Sequence, residues 1–130
     1  MTLPKISVVL PTYNRRSTLQ RAVASVLAQD EPQWELIVVD DASTDDTRAY
    51  LATLTDPRIR AVALARNAGV SVARNRGLEA ARAEIVAFLD SDDVYLQRLF
   101  YIGADSRSGA RAAARGRQYN VQYRALPAVL

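Results

Sequence analysis

The chain has 130 residues, 49% of them hydrophobic, and it contains neither cysteine nor histidine. This length and composition suit one globular domain, and they exclude disulfides, thiolate metal sites and imidazole ligands. Any metal ion would need carboxylate ligands, which favours Mg²⁺ or Mn²⁺. The net charge is +3, but residues 98–130 carry six arginines and one acid. The basicity therefore belongs to the tail, and we expect no nucleic-acid partner.

The sequence lacks the features of a membrane or secretory segment. It has no run of about 18 apolar residues, so no transmembrane helix is predicted. Its first residues lead directly into a strand-like segment without the basic and apolar regions of a signal peptide. We expect a cytoplasmic location, or one at the inner face of a membrane.

Four apolar, β-branched runs alternate with three amphipathic segments. In chain order, the patterns predict a strand at 6–10, a helix at 16–28, a strand at 35–39, a helix from Ser43 or Thr44 to about 54, a strand at 59–64, a helix at 69–81 and a strand at 85–89. Ser43 and Thr44 are plausible N-caps of the second helix, and Asp45 and Asp46 suit its first turn.

Alternating strands and helices predict an α/β fold with parallel pairing and right-handed crossovers. Strands that are apolar throughout need cover on both faces. We therefore expect a Rossmann-like, open, mostly parallel sheet, with the first strand between the second and fourth and the third at an edge. Residues 97–130 are rich in Ala and Arg without a clear strand period. The domain is expected to span 1–96, followed by an atypical or poorly ordered tail.

Every predicted strand ends in polar or aromatic residues, which include Pro11, Thr12, Tyr13, Asn14, Asp40, Asp41, Arg66, Asn67, Asp90, Ser91, Asp92 and Asp93. In open α/β sheets, ligands bind outside the carboxyl ends of the strands. These side chains are therefore expected to meet at one rim of the sheet and to form a ligand site there.

The acidic residues of this rim have two interpretations each. Asp90, Asp92 and Asp93 repel one another unless a cation lies among them, although a solvated acidic turn is the alternative. Asp41 could accept the imide N–H of a uracil-type base. Asp40 is the weaker candidate for binding, and one of this pair could instead belong to the turn that enters the next helix.

The aromatic and basic residues are equally open to two interpretations. Tyr13 can stack on a nucleobase or simply pack against its neighbours. Arg66 and Arg74 can face a diphosphate near a helix N-terminus or remain surface charges.

Four segments together resemble the family-2 inverting glycosyltransferases of the GT-A fold. The resemblance covers about residues 5–96, through 6–14, 36–45, 66–77 and the DxD-like element at 88–93. The second segment has Ala42 at a position where the family more often has glycine.

The resemblance implies a nucleotide-diphosphate sugar donor, of UDP type, and a role for each matched residue. Pro11 and Tyr13 would line the base pocket, Thr12 and Asn14 would shape its loop, Asp41 would bind the base, and Arg66 and Arg74 would face the diphosphate. Asp90 would reach the ribose or a metal-bound water, Asp92 would ligate Mn²⁺ or Mg²⁺, and Asp93 would be a second acceptor.

The family's fold continues well beyond the DxD element and supplies there the acceptor wall and an acidic base. Here 37 residues follow Asp93, with Asp105 as their one acid. The resemblance therefore implies a truncated chain that holds the donor site for inverting transfer to an acceptor hydroxyl of a saccharide, lipid-linked group or protein. We assign no catalytic base, and the alternative is a non-catalytic nucleotide-sugar-binding module.

Two other α/β classes fit the sequence poorly. A phospho-receiver domain needs an acidic pair after the first strand and a later lysine, whereas no lysine follows Lys5. A dinucleotide-binding dehydrogenase needs a Gly-x-Gly-x-x-Gly loop after the first strand, which is absent here.

Overall fold

The computed structural model of the chain describes residues 3–92 and the backbone of three short strands further along. Its elements in chain order are β1 (Ile6–Thr12), α1 (Arg16–Leu27), β2 (Trp34–Asp40), α2 (Thr47–Ala52), β3 (Ile59–Ala63), α3 (Val70–Ala80), β4 (Ile85–Phe88), β5 (Ala113–Ala114), β6 (Arg117–Gln118) and β7 (Val121–Tyr123). Within the described part, no helix has the length and apolar character needed to cross a membrane. Asp93 and most of the 97–130 tail lie outside the described residues.

The main sheet has the order β3-β2-β1-β4-β7. Its first four strands are parallel, which confirms the predicted order with the first strand between the second and fourth. The fifth strand, β7, pairs antiparallel with β4 and was not predicted from its ambiguous sequence pattern. β5 and β6 form a separate antiparallel pair.

Helices cover both faces of the sheet, as predicted. On one face, α1 and α2 contribute Leu19, Val23 and Leu51 to an apolar cluster with alternate residues of the central strands. On the other face, α3 contributes Ala73 to a smaller cluster around Val9. The odd and even positions of β1 therefore belong to different apolar layers, as the two-residue period of a strand requires.

Helix α3 lies very close to β1 because Gly77 faces the sheet. A Cβ atom built on this buried glycine would overlap a γ-methyl group of Val9, which is fully buried in the central strand. Glycine is therefore required here by the close approach of helix and strand.

The amino ends of the strands enclose a buried charge that the apolar pattern concealed. Ser7 Oγ donates a hydrogen bond of 2.6 Å to Glu35 Oε1 on the neighbouring strand, and the backbone N–H of Arg82 donates one of 2.7 Å to the same oxygen. Glu35 Oε2 accepts from Arg82 Nε at 2.9 Å and from Arg60 Nη2 at 3.2 Å. Burial alone would raise the pKa of Glu35, but the hydrogen bonds from Ser7 and Arg82 and the charge of Arg60 bring it below its ordinary value.

The prediction that Ser43 or Thr44 caps the second helix is wrong, because α2 begins only at Thr47. Both residues instead join the turn after β2 to the end of β1. Ser43 Oγ accepts a hydrogen bond of 2.9 Å from the backbone N–H of Asn14, and the backbone N–H of Thr44 donates one of 2.8 Å to Asn14 Oδ1. Their polar groups are thus committed to a contact between loops, which local sequence patterns do not reveal.

Ala42 adopts a left-handed backbone conformation, with φ at 61°. Side chains with a Cβ are disfavoured there by about 1–2 kcal/mol, whereas glycine is not. We expect Ala42→Gly to raise the free energy of unfolding by about 0.5–1 kcal/mol, since the greater freedom of glycine in the unfolded chain offsets part of the gain. Urea denaturation of the two proteins would measure this difference, and a less stable variant would contradict it.

Candidate functional site

The carboxyl ends of β1, β2 and β4, together with the start of α3, surround a cleft of about 360 Å³. This volume falls in the usual range for small-molecule sites. The lining residues come from four separate segments of the chain, and they are Pro11, Thr12, Tyr13, Arg15, Asp41, Asn67, Gly69, Val70, Ala73, Asp90, Ser91 and Asp92.

Of the ten residues to which the resemblance gives a role, six line this cleft, namely Pro11, Thr12, Tyr13, Asp41, Asp90 and Asp92, and the predicted rim residues Asn67 and Ser91 line it as well. Three others, Asn14, Arg66 and Arg74, do not line it. Asp93 lies outside the described residues. The cleft thus unites residues that are about 80 positions apart in the sequence.

The carboxylate of Asp41 accepts hydrogen bonds from the segment that leads into α3. Its Oδ1 accepts a hydrogen bond of 2.8 Å from the backbone N–H of Ala68, and its Oδ2 accepts from Gly69 N at 2.9 Å and from Asn67 Nδ2 at 3.1 Å. A carboxylate has about four acceptor sites, so one on Oδ1 remains for a ligand. This buried carboxylate therefore positions the β3–α3 segment and can still accept one more hydrogen bond.

The adjacent Asp40 points away from the cleft. Its Oδ1 accepts from the backbone N–H of Ser43 at 3.0 Å, and its Oδ2 pairs with Arg48 Nε at 3.3 Å. The two consecutive aspartates therefore differ in role, since Asp40 shapes the turn toward α2 while Asp41 lines the cleft.

Asn14 acts on the cleft from outside its lining. Its side chain bonds the turn after β2 through Thr44 and also accepts from the backbone N–H of Asp45 at 3.2 Å. Its backbone has a left-handed φ of 50°, a conformation that asparagine tolerates better than most residues. This contact fixes the turn that carries Tyr13, which lines the cleft and leaves 44% of its surface exposed. The exposed ring can stack on a planar ligand.

Arg74 reaches the edge of the cleft through Asp90. Its Nη2 donates a hydrogen bond of 3.0 Å to Asp90 Oδ1, and its guanidinium carbon lies 6.0 Å from the centre of the Phe88 ring. The Nε–H of Arg74 is buried and has no acceptor within residues 3–92. The side chain as a whole is 40% exposed, so the charge of Arg74 acts at the edge of the cleft while its Nε–H stays buried.

The chemistry of Asp90 and Asp92 is compatible with a hard divalent ion. Within residues 3–92, no group of three or more potential ligands is arranged to hold a metal on its own. Mg²⁺, however, is usually bound by one or two carboxylates together with substrate phosphates and water. Two carboxylates at the wall of a cleft suit that partial coordination, with the remaining ligands supplied by a phosphorylated substrate.

Residues 7–102 match the profile of the Glycosyl transferase family 2, which covers more than half of the chain. The chain belongs to this family. This glycosyltransferase chain is 51% identical over 92 residues to the putative teichuronic acid biosynthesis glycosyltransferase TuaG of Bacillus subtilis. The alignment covers 69% of this chain and 36% of TuaG. It is 47% identical over 91 residues to the succinoglycan biosynthesis protein ExoO of Rhizobium meliloti, over 70% of this chain and 26% of ExoO.

Two solved structures have a similar fold to this glycosyltransferase chain. One is S. aureus TarS 1-349 in complex with UDP-GlcNAc, with a TM-score of 0.66 and 36% identity over 69% of this chain and 27% of that one. The other is the mannosyltransferase PcManGT from Pyrobaculum calidifontis in complex with GDP-Man and Mn²⁺, with a TM-score of 0.64 and 32% identity over 73% and 29% of the two chains. This chain thus spans about a third or less of these relatives.

One charged residue of the glycosyltransferase cleft was not predicted from the sequence. Arg15 lines the cleft immediately before α1. A signal was present, because arginine occupies the N-cap position, where Ser, Thr, Asp or Asn would favour the helix. A residue that does not favour the helix it begins indicates a role other than capping.

Proposed function

We propose that residues 3–92 form the donor site of a glycosyltransferase that uses a nucleotide-diphosphate sugar, of UDP type, together with a divalent metal. The observation that carries this proposal is the convergence of Tyr13, Asp41, Asp90 and Asp92 on one cleft. An aromatic face, a partly satisfied carboxylate and two further carboxylates match the base and the metal-bound diphosphate of such a donor. The similarity to TarS in complex with UDP-GlcNAc supports the same assignment.

The nucleobase would lie between Tyr13 and Asp41. The exposed ring of Tyr13 offers a stacking surface, and Pro11 and Thr12 line the cleft beside it. The remaining acceptor site on Asp41 Oδ1 suits the imide N–H of uracil, because three protein N–H groups already occupy the rest of that carboxylate. The base would thus bind to a group that the fold has already oriented.

The diphosphate would lie toward α3 and β4. The side chain of Arg74 is 40% exposed and its Nη2 lies 3.0 Å from Asp90 at the wall of the cleft, so its charge would face a phosphate group bound there. Neither Arg66 nor Arg74 lines the cleft, but Arg74 is paired at 3.0 Å with Asp90, which does, so we assign the diphosphate contact to Arg74 before Arg66.

We assign Asp92, with help from Asp90, to an Mn²⁺ or Mg²⁺ ion, and Asp93 as a further acceptor outside the described residues. When bound, such an ion offsets charge on the departing nucleoside diphosphate. Asp90 is held toward Arg74 by its 3.0 Å ion pair, which leaves Asp92 as the freer of the two carboxylates.

The reaction we propose is transfer with inversion of configuration. An acceptor hydroxyl oxygen forms a bond to the anomeric carbon while the bond from that carbon to the diphosphate breaks. The hydroxyl proton passes to a general base, to which we assign no residue of this chain. The acceptor would be a saccharide, a lipid-linked group or a protein.

A thermal-shift panel of UDP, GDP and dTDP with and without Mn²⁺ tests the donor site, because a ligand that binds the folded state raises stability by mass action. We expect UDP with Mn²⁺ to give the largest shift in the full chain. Asp92→Asn should weaken Mn²⁺-dependent UDP binding about tenfold or more, because even outer-shell changes at metal sites commonly have effects of that size.

Asp46→Asn is the matched control, because Asp46 is exposed, lies outside the cleft and makes only a 4.0 Å ion pair with Arg16. If Asp46→Asn and Asp92→Asn weakened Mn²⁺-dependent UDP binding equally, Asp92 would be excluded as a metal ligand. A panel without any nucleotide-dependent shift would exclude the donor site itself.

A further inference from the structure

Among the cations of residues 3–92, Arg15 is the one that lines the cleft. Its side chain is exposed and lines the cleft together with three carboxylates, those of Asp41, Asp90 and Asp92. No carboxylate within residues 3–92 forms an ion pair with it. Its charge is therefore available to a ligand in the cleft.

The neighbouring Arg16 shows what a structural arginine looks like at this point of the fold. Its guanidinium lies 4.0 Å from the centre of the Tyr50 ring, and its Nη1 donates a hydrogen bond of 3.2 Å to Gln20. It also lies 4.0 Å from a carboxylate oxygen of Asp46. Of two consecutive arginines, one is therefore held by protein groups and the other is left facing the cleft.

Arg15 is also an unfavourable residue for its local structure. It occupies the N-cap position of α1 and makes no side-chain capping hydrogen bond. A cation at a helix N-terminus interacts unfavourably with the helix dipole. A serine at the same position would carry no charge, and its hydroxyl oxygen would accept a hydrogen bond from a free backbone N–H. The backbone of Arg15 is nevertheless fixed, because its carbonyl accepts a hydrogen bond of 2.8 Å from Leu19 N.

Arg15 and Arg74 approach the cleft from opposite sides of the sheet. Arg15 precedes α1, which packs on one face, whereas Arg74 belongs to α3, which packs on the other. Asp41 is occupied by backbone and amide N–H groups, and Asp90 is paired with Arg74. A diphosphate brought into this acidic cleft needs positive charge, and Arg15 supplies it from the α1 side.

Building on the proposed donor site, we propose that Arg15 contacts the diphosphate of the nucleotide and forms, with Arg74, a clamp from the two faces of the sheet. Its contribution should depend on the phosphates and not on the base. The same residue that weakens the start of α1 would then strengthen binding of the donor.

Arg15→Ser separates these two roles, because serine is a good N-cap and carries no charge. We expect the variant to melt at a higher temperature than the wild type without ligand, and to bind UDP about tenfold more weakly by calorimetry. Binding of uridine, which has no phosphate, should change less than about twofold. Arg15→Lys should recover part of the UDP affinity, since lysine keeps the charge without the planar fork.

Arg21→Ala is the matched control, because Arg21 is an exposed arginine of the same helix that does not line the cleft. It should leave UDP affinity unchanged. Unaltered UDP affinity of Arg15→Ser, or an equal loss for uridine and UDP, overturns the diphosphate contact while the donor site stands. A wild type that binds no nucleotide overturns the donor site and the clamp together.

Discussion

Glu35→Gln is expected to lower the free energy of unfolding by about 3 kcal/mol, because it leaves a buried cluster of donors with too few acceptors. Both carboxylate oxygens of Glu35 accept hydrogen bonds, from Ser7 and Arg82 on one side and from Arg82 and Arg60 on the other. A glutamine of the same size would turn an NH₂ group toward one of these donor pairs. Chemical denaturation of the full chain would measure the loss.

The same cluster predicts a dependence of stability on pH. The pKa of Glu35 in the folded chain lies below its ordinary value of 4.5, so the folded state binds its proton less readily than the unfolded state. The stability that Glu35 contributes is therefore complete above pH 4.5 and declines as the pH falls through the folded pKa. The difference in stability between wild type and Glu35→Gln should narrow over that acidic range.

Glu79→Gln provides the control, because Glu79 makes an exposed ion pair of 3.0 Å with Arg76 on the surface of α3. Exposed pairs of this kind contribute about 0.3–0.5 kcal/mol. A Glu35→Gln variant no less stable than Glu79→Gln would contradict the buried role of Glu35.

Gly77→Ala is expected to destabilise the chain by about 2–3 kcal/mol, although alanine is normally the better helix former. The added methyl group would overlap the side chain of Val9, which the surrounding core holds in place. Helix α3 would have to move away from β1, and with it the segment that Asp41 anchors at the cleft. Urea denaturation would measure the loss of stability, and UDP titration would test for a second effect on the cleft.

A second substitution distinguishes this clash from a general effect on the helix. Val9→Ala alone should destabilise by about 1–3 kcal/mol through the cavity it leaves, yet Val9→Ala combined with Gly77→Ala should be more stable than the sum of the single losses implies. Asn75→Ala, on the exposed side of α3, should leave the free energy of unfolding unchanged or raise it slightly. Simple additivity of the Val9 and Gly77 changes would contradict the clash.

The sequence was sufficient to predict the parallel core of the fold. Hydrophobic runs identified all four parallel strands and the three helices between them, because burial on two faces produces a pattern that needs no knowledge of tertiary contacts. The second helix was misplaced at its start, since Ser43 and Thr44 bond to Asn14 across about 30 residues of chain. The β7 pairing was missed because Val121–Tyr123 is too short to show a period.

The candidate site was predictable in part for a related reason. The carboxyl ends of parallel strands lie at one edge of the sheet. Side chains that directly follow these strands, such as Tyr13, Asp41 and Asp92, could therefore be assigned to that edge. The second function of Asp41 as an anchor for Ala68 and Gly69 could not be foreseen, because those contacts depend on the path of a loop. The buried cluster around Glu35 could not be predicted, because Glu35 stands alone in an apolar run and its partners Ser7, Arg60 and Arg82 are distant in the sequence.

The position of β1 in the middle of the parallel sheet has a consequence for how the chain folds. Its first partner, β2, begins at Trp34, but its other parallel partner, β4, begins only at Ile85. During synthesis, one edge of β1 therefore stays open until the fourth strand has left the ribosome. Contacts between residues so far apart slow folding, and open edges favour pairing with other chains. The stage before β4 docks is thus when this protein most needs protection from aggregation.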